Sequence, residues 1–284
     1  MHLMIVVCMF GRDWQHVASS RQLPIHVREF EALGIRCHRL IVYDNSPEAH
    51  DLGDSFSPGS MPKIDYVHDP ANGGTAAAYE FATKAASARH ADWLLLLDHD
   101  TILPSDFFAR WVAAIHMAPD EVVDAFVPWV THEGVVVSPA TVTGIGSIRP
   151  LSRTAAPKPE TAIASGSIFR VESLRAVMPL PHGLWLDFVD HWLFAEIRAR
   201  RGVVRVFDAE VDHDLSIARP ASLSRRRLLS VLEGEARFVR SLEWPARYVH
   251  PIRLMHRLAR YLVIRPRLAA WMAAWIFSRR SLAR

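Results

Sequence analysis

The stretch Asp92-Trp93-Leu94-Leu95-Leu96-Leu97-Asp98-His99-Asp100 decides how the rest of this chain is read. Four consecutive leucines between polar residues neither alternate, as a half-exposed strand does, nor run long enough for an ordinary helix. They predict a short strand buried on both faces. Asp98 and Asp100 then fall where that strand emerges. In an open α/β sheet, ligands bind in the crevice outside the carboxyl ends of the strands. One residue between two carboxylates lets a turn aim both at a hard cation, which prefers oxygen ligands. A plain turn or a helix cap suits the same tripeptide, because aspartate is common in both.

Upstream, Leu3 to Met9 is apolar and rich in Val and Ile, a buried first strand broken at Gly11-Arg12-Asp13. Ser19 or Ser20 is placed to cap a helix reaching Leu33, with Gly34 as its stop. Ile35 to Tyr43 reads as a second strand ending in Asp44-Asn45-Ser46-Pro47, and a polar loop runs on to Pro62. Ile64 to His68 is a short third strand; Asp69-Pro70-Ala71-Asn72-Gly73-Gly74-Thr75 then opens an Ala-rich helix to about His90. The order β, α, β, β, α, β with short connections predicts a mainly parallel sheet covered by helices. Asp44, Asn72, Asp98 and Asp100 would then all lie at the carboxyl ends of separate strands. Gly73 and Gly74 permit close approach of a ligand, and the helix start beyond them offers N–H groups to an anion. An ordinary asparagine cap followed by glycines has the same sequence.

Downstream, a helix is expected from Pro104 to about Met117, then strands and a hairpin between Val122 and Ile148, and an open connection from Arg149 to Glu160. Ser165-Gly166-Ser167 interrupts the strand-like stretch Thr161 to Val171; such a glycine marks either a close approach or a bulge. In Gly183 to Gly202, Asp187 is placed to cap a helix with Asp190 in its first turn, where acids complement the helix dipole. Those structural roles explain both acids; a carboxylate fixed there among Trp185, Phe188 and Trp192 also suits a positioned base. A strand pair, Val203 to Phe207 and Ala209 to Val211, leads to Asp212-His213-Asp214, and His213 is a competent metal or phosphate partner.

The 284 residues are enough for one large domain or a domain with an appendage. Half are hydrophobic, and 33 basic against 30 acidic side chains leave a formal charge of only +3, which argues for an ordered globular protein. Cys8 and Cys37 lack metal-type spacing and read as buried free thiols of a reducing compartment. Leu3 to Phe10 has no basic segment ahead of it and is soon followed by Arg12 and Asp13, so a first strand is expected there rather than a signal peptide. No run approaches the roughly 20 apolar residues that span a bilayer. These features point to a cytoplasmic protein.

Taken together and in order, several stretches resemble the family 2 glycosyltransferases, inverting enzymes of the GT-A fold, and among them the bacterial rhamnosyltransferase-like branch. They are Val42-Tyr43-Asp44-Asn45-Ser46, Asn72-Gly73-Gly74, Leu94 to Thr101, Ser165-Gly166-Ser167, Leu186 to Trp192 and His213-Asp214-Leu215-Ser216. The likeness spans about Leu3 to Ser216. It implies a nucleotide diphosphosugar donor, with deoxythymidine diphosphate rhamnose the first choice, and a divalent cation, Mn²⁺ or Mg²⁺. By this likeness Asp44 and Asn45 lie at the nucleotide, Asn72, Gly73, Gly74, Ser165 and Gly166 along the donor, and Asp98 near the ribose or sugar. Asp100 is implied as the metal-binding acid, with Asp98 and His213 beside it, and Asp190 as the catalytic base. Many relatives carry a Glu just before the Trp, whereas here the sequence is Asp190-His191-Trp192, so Asp187 stands as second choice.

The chain divides on this reading into a catalytic, nucleotide-sugar-binding GT-A domain, 1–216, and a basic helical region, 217–284. From Trp244 onward there are nine arginines and no acid. In one expected helix Leu254, Leu258 and Leu262 share a stripe, with Arg253, Arg257 and Arg260 on another; in the next, Leu268, Trp271, Met272, Trp275 and Ile276 form a face bracketed by Arg265, Arg267, Arg279 and Arg280. Such faces suit a peripheral helix on an anionic membrane, near a lipid-linked or glycan acceptor. Packing on the chain's own catalytic domain, or across a dimer, produces the same pattern. No nucleic-acid-binding module is recognisable. Two other readings are a metal-dependent nucleotidyltransferase or hydrolase and a catalytically silent scaffold of the same fold.

Overall fold

The computed structural model describes residues 1–52, 63–154, 158–213, 224–242 and 244–282, the last four of these as backbone only. The polar loop after Asp44 is therefore described only in part. Asp214, Leu215 and Ser216, the expected domain boundary at 216, and the side chains of Arg279, Arg280 and Arg284 lie outside the described residues.

β1 (His2–Met9), β2 (Arg36–Asp44), β3 (Lys63–His68) and β4 (Trp93–Asp98) pair in parallel in the order β4-β1-β2-β3. β4 is buried on both faces, as its leucine run requires: Leu94 and Leu96 enter one core with Met4, Val6 and Ile41, while Leu95 and Leu97 enter the other with Ile5, Val7 and Val42. The first core is closed by α2 (Gly74–Ala88), α4 (Val171–Val177) and α5 (Val189–Ala199), the second by α1 (Ala18–Val27) and α3 (Phe107–His116). Burying each leucine contributes roughly 1.5–3 kcal/mol, so the strand is held by its own composition.

Beyond β4 the sheet continues through β9 (Ile168–Arg170), β5 (Val123–His132) and β10 (Val203–Asp212). β9 is antiparallel to both β4 and β5, whereas β10 is parallel to β5, so the sheet is mainly parallel with one reversed insertion. β6 (Val135–Ser138) adds antiparallel to β5, and β7 (Ala140–Val142) pairs with β8 (Ile148–Pro150) in a separate hairpin, so order extends two residues into the connection expected to open at Arg149.

Three local expectations are corrected. α1 begins at Ala18 without a side-chain cap and ends at Val27, with turns carrying the chain to Gly34; Ser19 and Ser20 lie buried inside it, and the Ser20 hydroxyl donates to Val17 O at 2.9 Å. The strand pair expected from Val203 is one strand, β10, whose register shifts between Val206 and Glu210. Asp187 does not cap α5. The cap position is Phe188, held in the left-handed region at φ 64°, while Asp190 does lie in the first turn.

α6 (Arg225–Ser241), α7 (Ala246–Ile264) and α8 (Pro266–Leu282) form a helical layer. Ser224 caps α6 by accepting the Arg227 N–H at 3.2 Å. Leu228, Leu232 and Ala236 of α6 pack with Leu254 of α7 and Leu268, Met272 and Trp275 of α8. The apolar face expected on α8 is thus spent inside the chain. A second cluster, Phe238, Val239, Leu242 and Ala246 against Ala195, Phe188 and Ile148, fastens the layer to the sheet domain. Among the described residues, no helix is long and apolar enough to cross a membrane.

Candidate active site

β4 delivers Asp98 to the carboxyl edge of the sheet, and the turn after it carries Asp100 and Thr101. β10 ends beside it, and the backbone N–H of His213 donates to Thr131 O at 3.0 Å, which fixes where the imidazole starts. Its ring lies between the two acids: Nδ1 is 3.2 Å from Asp100 Oδ1 and Nε2 is 3.7 Å from Asp98 Oδ2. One ligand atom from each of Asp98, Asp100 and His213 lies within 4.8 Å of the others. Asp100 Oδ1 is buried and lacks an aligned hydrogen-bond donor despite the nearby imidazole. Two carboxylates, one imidazole and an unsatisfied buried oxygen fit a divalent cation of the Mg²⁺ or Mn²⁺ type, for which oxygen and nitrogen donors serve.

The electrostatics follow from crowding. Burial raises the Asp98 carboxyl above its usual range; the His213 charge partly opposes this and Asp100 adds to it. At Asp100 burial also acts upward, but the imidazole of His213 close beside it, with His99, brings the net shift below the usual value. For His213 burial acts downward and is outweighed by Asp100 and Asp98, so the imidazole holds its proton more firmly than usual.

Ser165 and Thr101 support this cluster from beneath. The Asp98 N–H donates to Ser165 Oγ at 2.8 Å, and Thr101 Oγ1 lies 2.5 Å from Ser165 Oγ and 3.2 Å from His213 Nδ1. Ser165 is 1 % exposed, so it reaches a ligand only through Asp98 and Thr101. Gly166 sits at φ 83°, a backbone that favours glycine, and a Cβ there would also lie 3.1 Å from Pro128 Cγ and 3.4 Å from Val211 Cγ2.

At the end of β2, Asp44 is fully buried and accepts from Ser46 N, His50 Nδ1 and Tyr66 Oη at 2.8–2.9 Å. Burial alone would raise its carboxyl; these donors outweigh it and lower it. Asn45 ties two elements together, accepting the Gly74 N–H at 2.9 Å and donating to Cys8 Sγ at 3.3 Å.

The two glycines at the head of α2 do allow a close approach, but the group that approaches is protein. A Cβ on Gly74, at φ 73°, would lie 2.7 Å from the Trp185 ring, and one on Gly73 2.8 Å from Asp69 Oδ2. The N–H groups of Gly73, Gly74 and Ala76 are already donated to Asp69 Oδ2, Asn45 Oδ1 and Trp185 O. Asn72, at φ 53°, offers its carbonyl to Trp185 Nε1 at 2.6 Å and to Arg226 Nη2 at 2.7 Å. The Arg226 guanidinium also lies 4.0 Å over the Trp185 ring. The expected anion cradle at α2 is therefore largely occupied by the chain's own groups.

Asp190, in the first turn of α5, keeps 24 % of its side chain exposed, and its Oδ1 accepts the His191 N–H at 2.7 Å. Its charge acts on Asp98, Asp187 and His213, so it lies in the electrostatic neighbourhood of that cluster. Asp187, by contrast, is 6 % exposed and paired with Arg227, and burial raises its carboxyl despite that guanidinium. Thr101, Asp69, Arg226 and Arg227 complete the site, and sequence reading had given none of them a role. The run Arg225-Arg226-Arg227 is the one visible signal for the last two, and nothing in its spacing says that Arg226 meets the Asn72 carbonyl and Arg227 meets Asp187.

Residues 33–178, about half the chain, match the model of the family described as Glycosyl transferase family 2. Among solved structures, the chain is similar to S. aureus TarS, with a TM-score of 0.54 and 12 % identity over 92 % of this chain and 44 % of that one. It is also similar to S. aureus TarS 1–349 in complex with UDP-GlcNAc, with a TM-score of 0.51 and 10 % identity over 93 % and 73 % of the two chains. The match thus covers less than half of the longer TarS chain. At these identities the likeness is one of fold. No curated protein matches the chain.

Proposed function

Because the chain belongs to glycosyl transferase family 2, we propose that it transfers a sugar, with inversion, from a nucleotide diphosphate donor to a hydroxyl of a bacterial surface glycan or lipid-linked saccharide. It is a glycosyltransferase, and its mainly parallel sheet flanked by helices is of the GT-A type. The observation that carries the proposal is the convergence of Asp98, Asp100 and His213 at the end of β4, with the charge of Asp190 acting on Asp98 and His213. Deoxythymidine diphosphate rhamnose is the first donor to try, on the family likeness of the motifs. The TarS structure with UDP-GlcNAc makes that nucleotide sugar the second.

Asp98, Asp100 and His213 are the residues that would hold Mn²⁺ or Mg²⁺, and such an ion neutralises charge on a leaving diphosphate. Asp190 is the proposed base: it is partly exposed and free of any guanidinium partner among the described residues, whereas Asp187 is committed to Arg227. It takes the proton of the acceptor hydroxyl as that oxygen attacks the anomeric carbon from the face opposite the diphosphate. One displacement inverts the configuration. Asp187 acts on this reading by fixing the turn that presents Asp190, and Asp44, Asn45 and Asn72 by shaping the nucleotide end of the crevice. On this reading the catalytic domain is 1–216 and 217–284 is its appendage, which brings Arg226 and Arg227 to the site's edge, in a cytoplasmic protein.

Thermal-shift measurements with nucleotide diphosphates and their sugars, each with and without Mn²⁺ or Mg²⁺, test this on wild type and Asp100→Ala. A ligand at about 100 times its dissociation constant stabilises the native state by roughly 2.7 kcal/mol. A metal-dependent shift with one nucleotide family, lost in Asp100→Ala, is expected. Metal-dependent turnover of a nucleotide without any acceptor would favour a nucleotidyltransferase or hydrolase, and no shift with any of them a silent scaffold.

A further inference from the structure

We propose that the outer face of α7 docks on an anionic bilayer surface. The bundle consumes the apolar faces that the tail's sequence displays most clearly: Leu254, Leu268, Met272 and Trp275 are all buried. A different set is left outside. Tyr248, Ile252, Met255 and Leu262 are 70 %, 69 %, 50 % and 63 % exposed, and Val263 is 83 % exposed. At 3.6 residues per turn the first four fall within about 80° of one another, so they form one stripe along the helix. Ala259, also exposed, continues it.

The stripe has a basic border. Arg247 lies to one side, His256 and Arg260 lie to the other, and Arg267 follows in the first turn of α8; all four are exposed. From Trp244 to Arg284 the chain contains no acidic residue at all. An apolar helix face rimmed by arginine and free of carboxylates on its own helix is complementary to acyl chains below anionic headgroups. Each basic residue near such a leaflet strengthens partition by about fivefold, an attraction screened by salt. A second copy of this chain would meet the same border of arginines and repel it. The bilayer is therefore the occupant that the charge favours. Because α7 packs on α6, and α6 contacts Asn72 and Asp187 through Arg226 and Arg227, a docked α7 would hold the crevice at a fixed place relative to the lipid surface.

The test is co-sedimentation of the full chain with vesicles of phosphatidylcholine alone or mixed with phosphatidylglycerol, at low and high salt, without nucleotide or sugar. Its outcome is then separate from the transferase reading. The expected result is binding to the anionic vesicles only, weakened by salt, reduced about tenfold or more in Ile252→Glu/Met255→Glu and likewise weakened in Arg247→Glu/Arg260→Glu. Phe277→Glu, a change at an exposed apolar residue of α8 outside the stripe, is expected to bind as wild type. Thermal melting of each variant checks that it is folded. Absence of binding to anionic vesicles would overturn the proposal, and so would binding unaffected by the Ile252/Met255 change. A dimer in sedimentation velocity that this change dissociates would also overturn it, assigning the face to a second copy.

Discussion

Arg227 Nη2 lies 2.8 Å from Asp187 Oδ1, so the first turn of α6 closes on the acid three residues before the proposed base. The contact joins the helical layer to the crevice. Gly234, two turns on along the same face of α6, abuts the Asp187 carbonyl so tightly that a Cβ there would lie 2.5 Å from it, and the Asp187 N–H donates to Ser230 Oγ at 3.2 Å. The left-handed Phe188 that follows is thus clamped from one side by α6.

Breaking that pair from one end should be costly. Arg227→Met leaves the Asp187 carboxylate, 3 % exposed, without its counter-charge, and a loss on the order of 3 kcal/mol is expected. Adding Asp187→Asn should recover much of it, because the buried charge is then gone. Urea denaturation of the four members of the cycle measures this; an unchanged midpoint in Arg227→Met would show that the pair holds nothing.

Replacing the proposed base separates chemistry from binding. Asp190→Asn should lower turnover by roughly 10² to 10⁴ while leaving donor binding nearly intact. Steady-state kinetics with a calorimetric donor titration tests both halves. Turnover equal to wild type would remove Asp190 from the role.

Gly74→Ala should be destabilising for two additive reasons. The left-handed backbone costs about 1 kcal/mol for a residue with a Cβ, and the new methyl would crowd the Trp185 carbonyl oxygen and sit 2.7 Å from its ring, an overpacking worth about 1–3 kcal/mol. Gly11→Ala supplies the control: Gly11 has φ 63° but nothing within 4 Å of its Cβ position, so only the backbone cost applies. Equal losses in the two variants would mean that Trp185 yields without resistance.

Acid should weaken the fold through His26. It is 3 % exposed, edge-on to Phe108 at 5.4 Å between ring centroids, with Nδ1 unpaired, and burial lowers its pKa below the ordinary 6.5. The unfolded chain therefore binds a proton at a pH where the native chain does not. This contribution to stability is complete above pH 6.5 and is lost as the pH falls below it. His213 has the opposite sign, its stabilisation fading as pH rises, so the informative quantity is the difference between wild type and His26→Leu. Melting temperatures across this range should fall less steeply for the variant; parallel curves would refute the assignment.

Much of the fold was legible because its signals are local. A leucine run flanked by aspartates specifies a doubly buried strand and the point where it ends, so Asp98 and Asp100 could be placed without knowing their neighbours. His213 followed from the end of the next parallel strand. At Gly73 and Gly74 the sequence offered a ligand's approach or an ordinary cap, and at Gly166 a close approach or a bulge; the groups that approach Gly74 and Gly166, Trp185 and Pro128, come from residues far along the chain or on another strand.

What the sequence by itself determined, then, is the order of the elements, the parallel character of the sheet and the residue types at its carboxyl edge, since period, composition and turn chemistry act over a few neighbouring residues. Tertiary structure alone decided three things. The antiparallel β9 was inserted between β4 and β5, Asp187 went to Arg227 rather than to the helix cap, and α7 turned Tyr248, Ile252 and Met255 outward while α8 buried Trp275 and half-buried Trp271. Each is a competition between distant partners for one face or one charge. An amphipathic helix with apolar residues on more than one side does not specify which side meets the core until the other helices are in place.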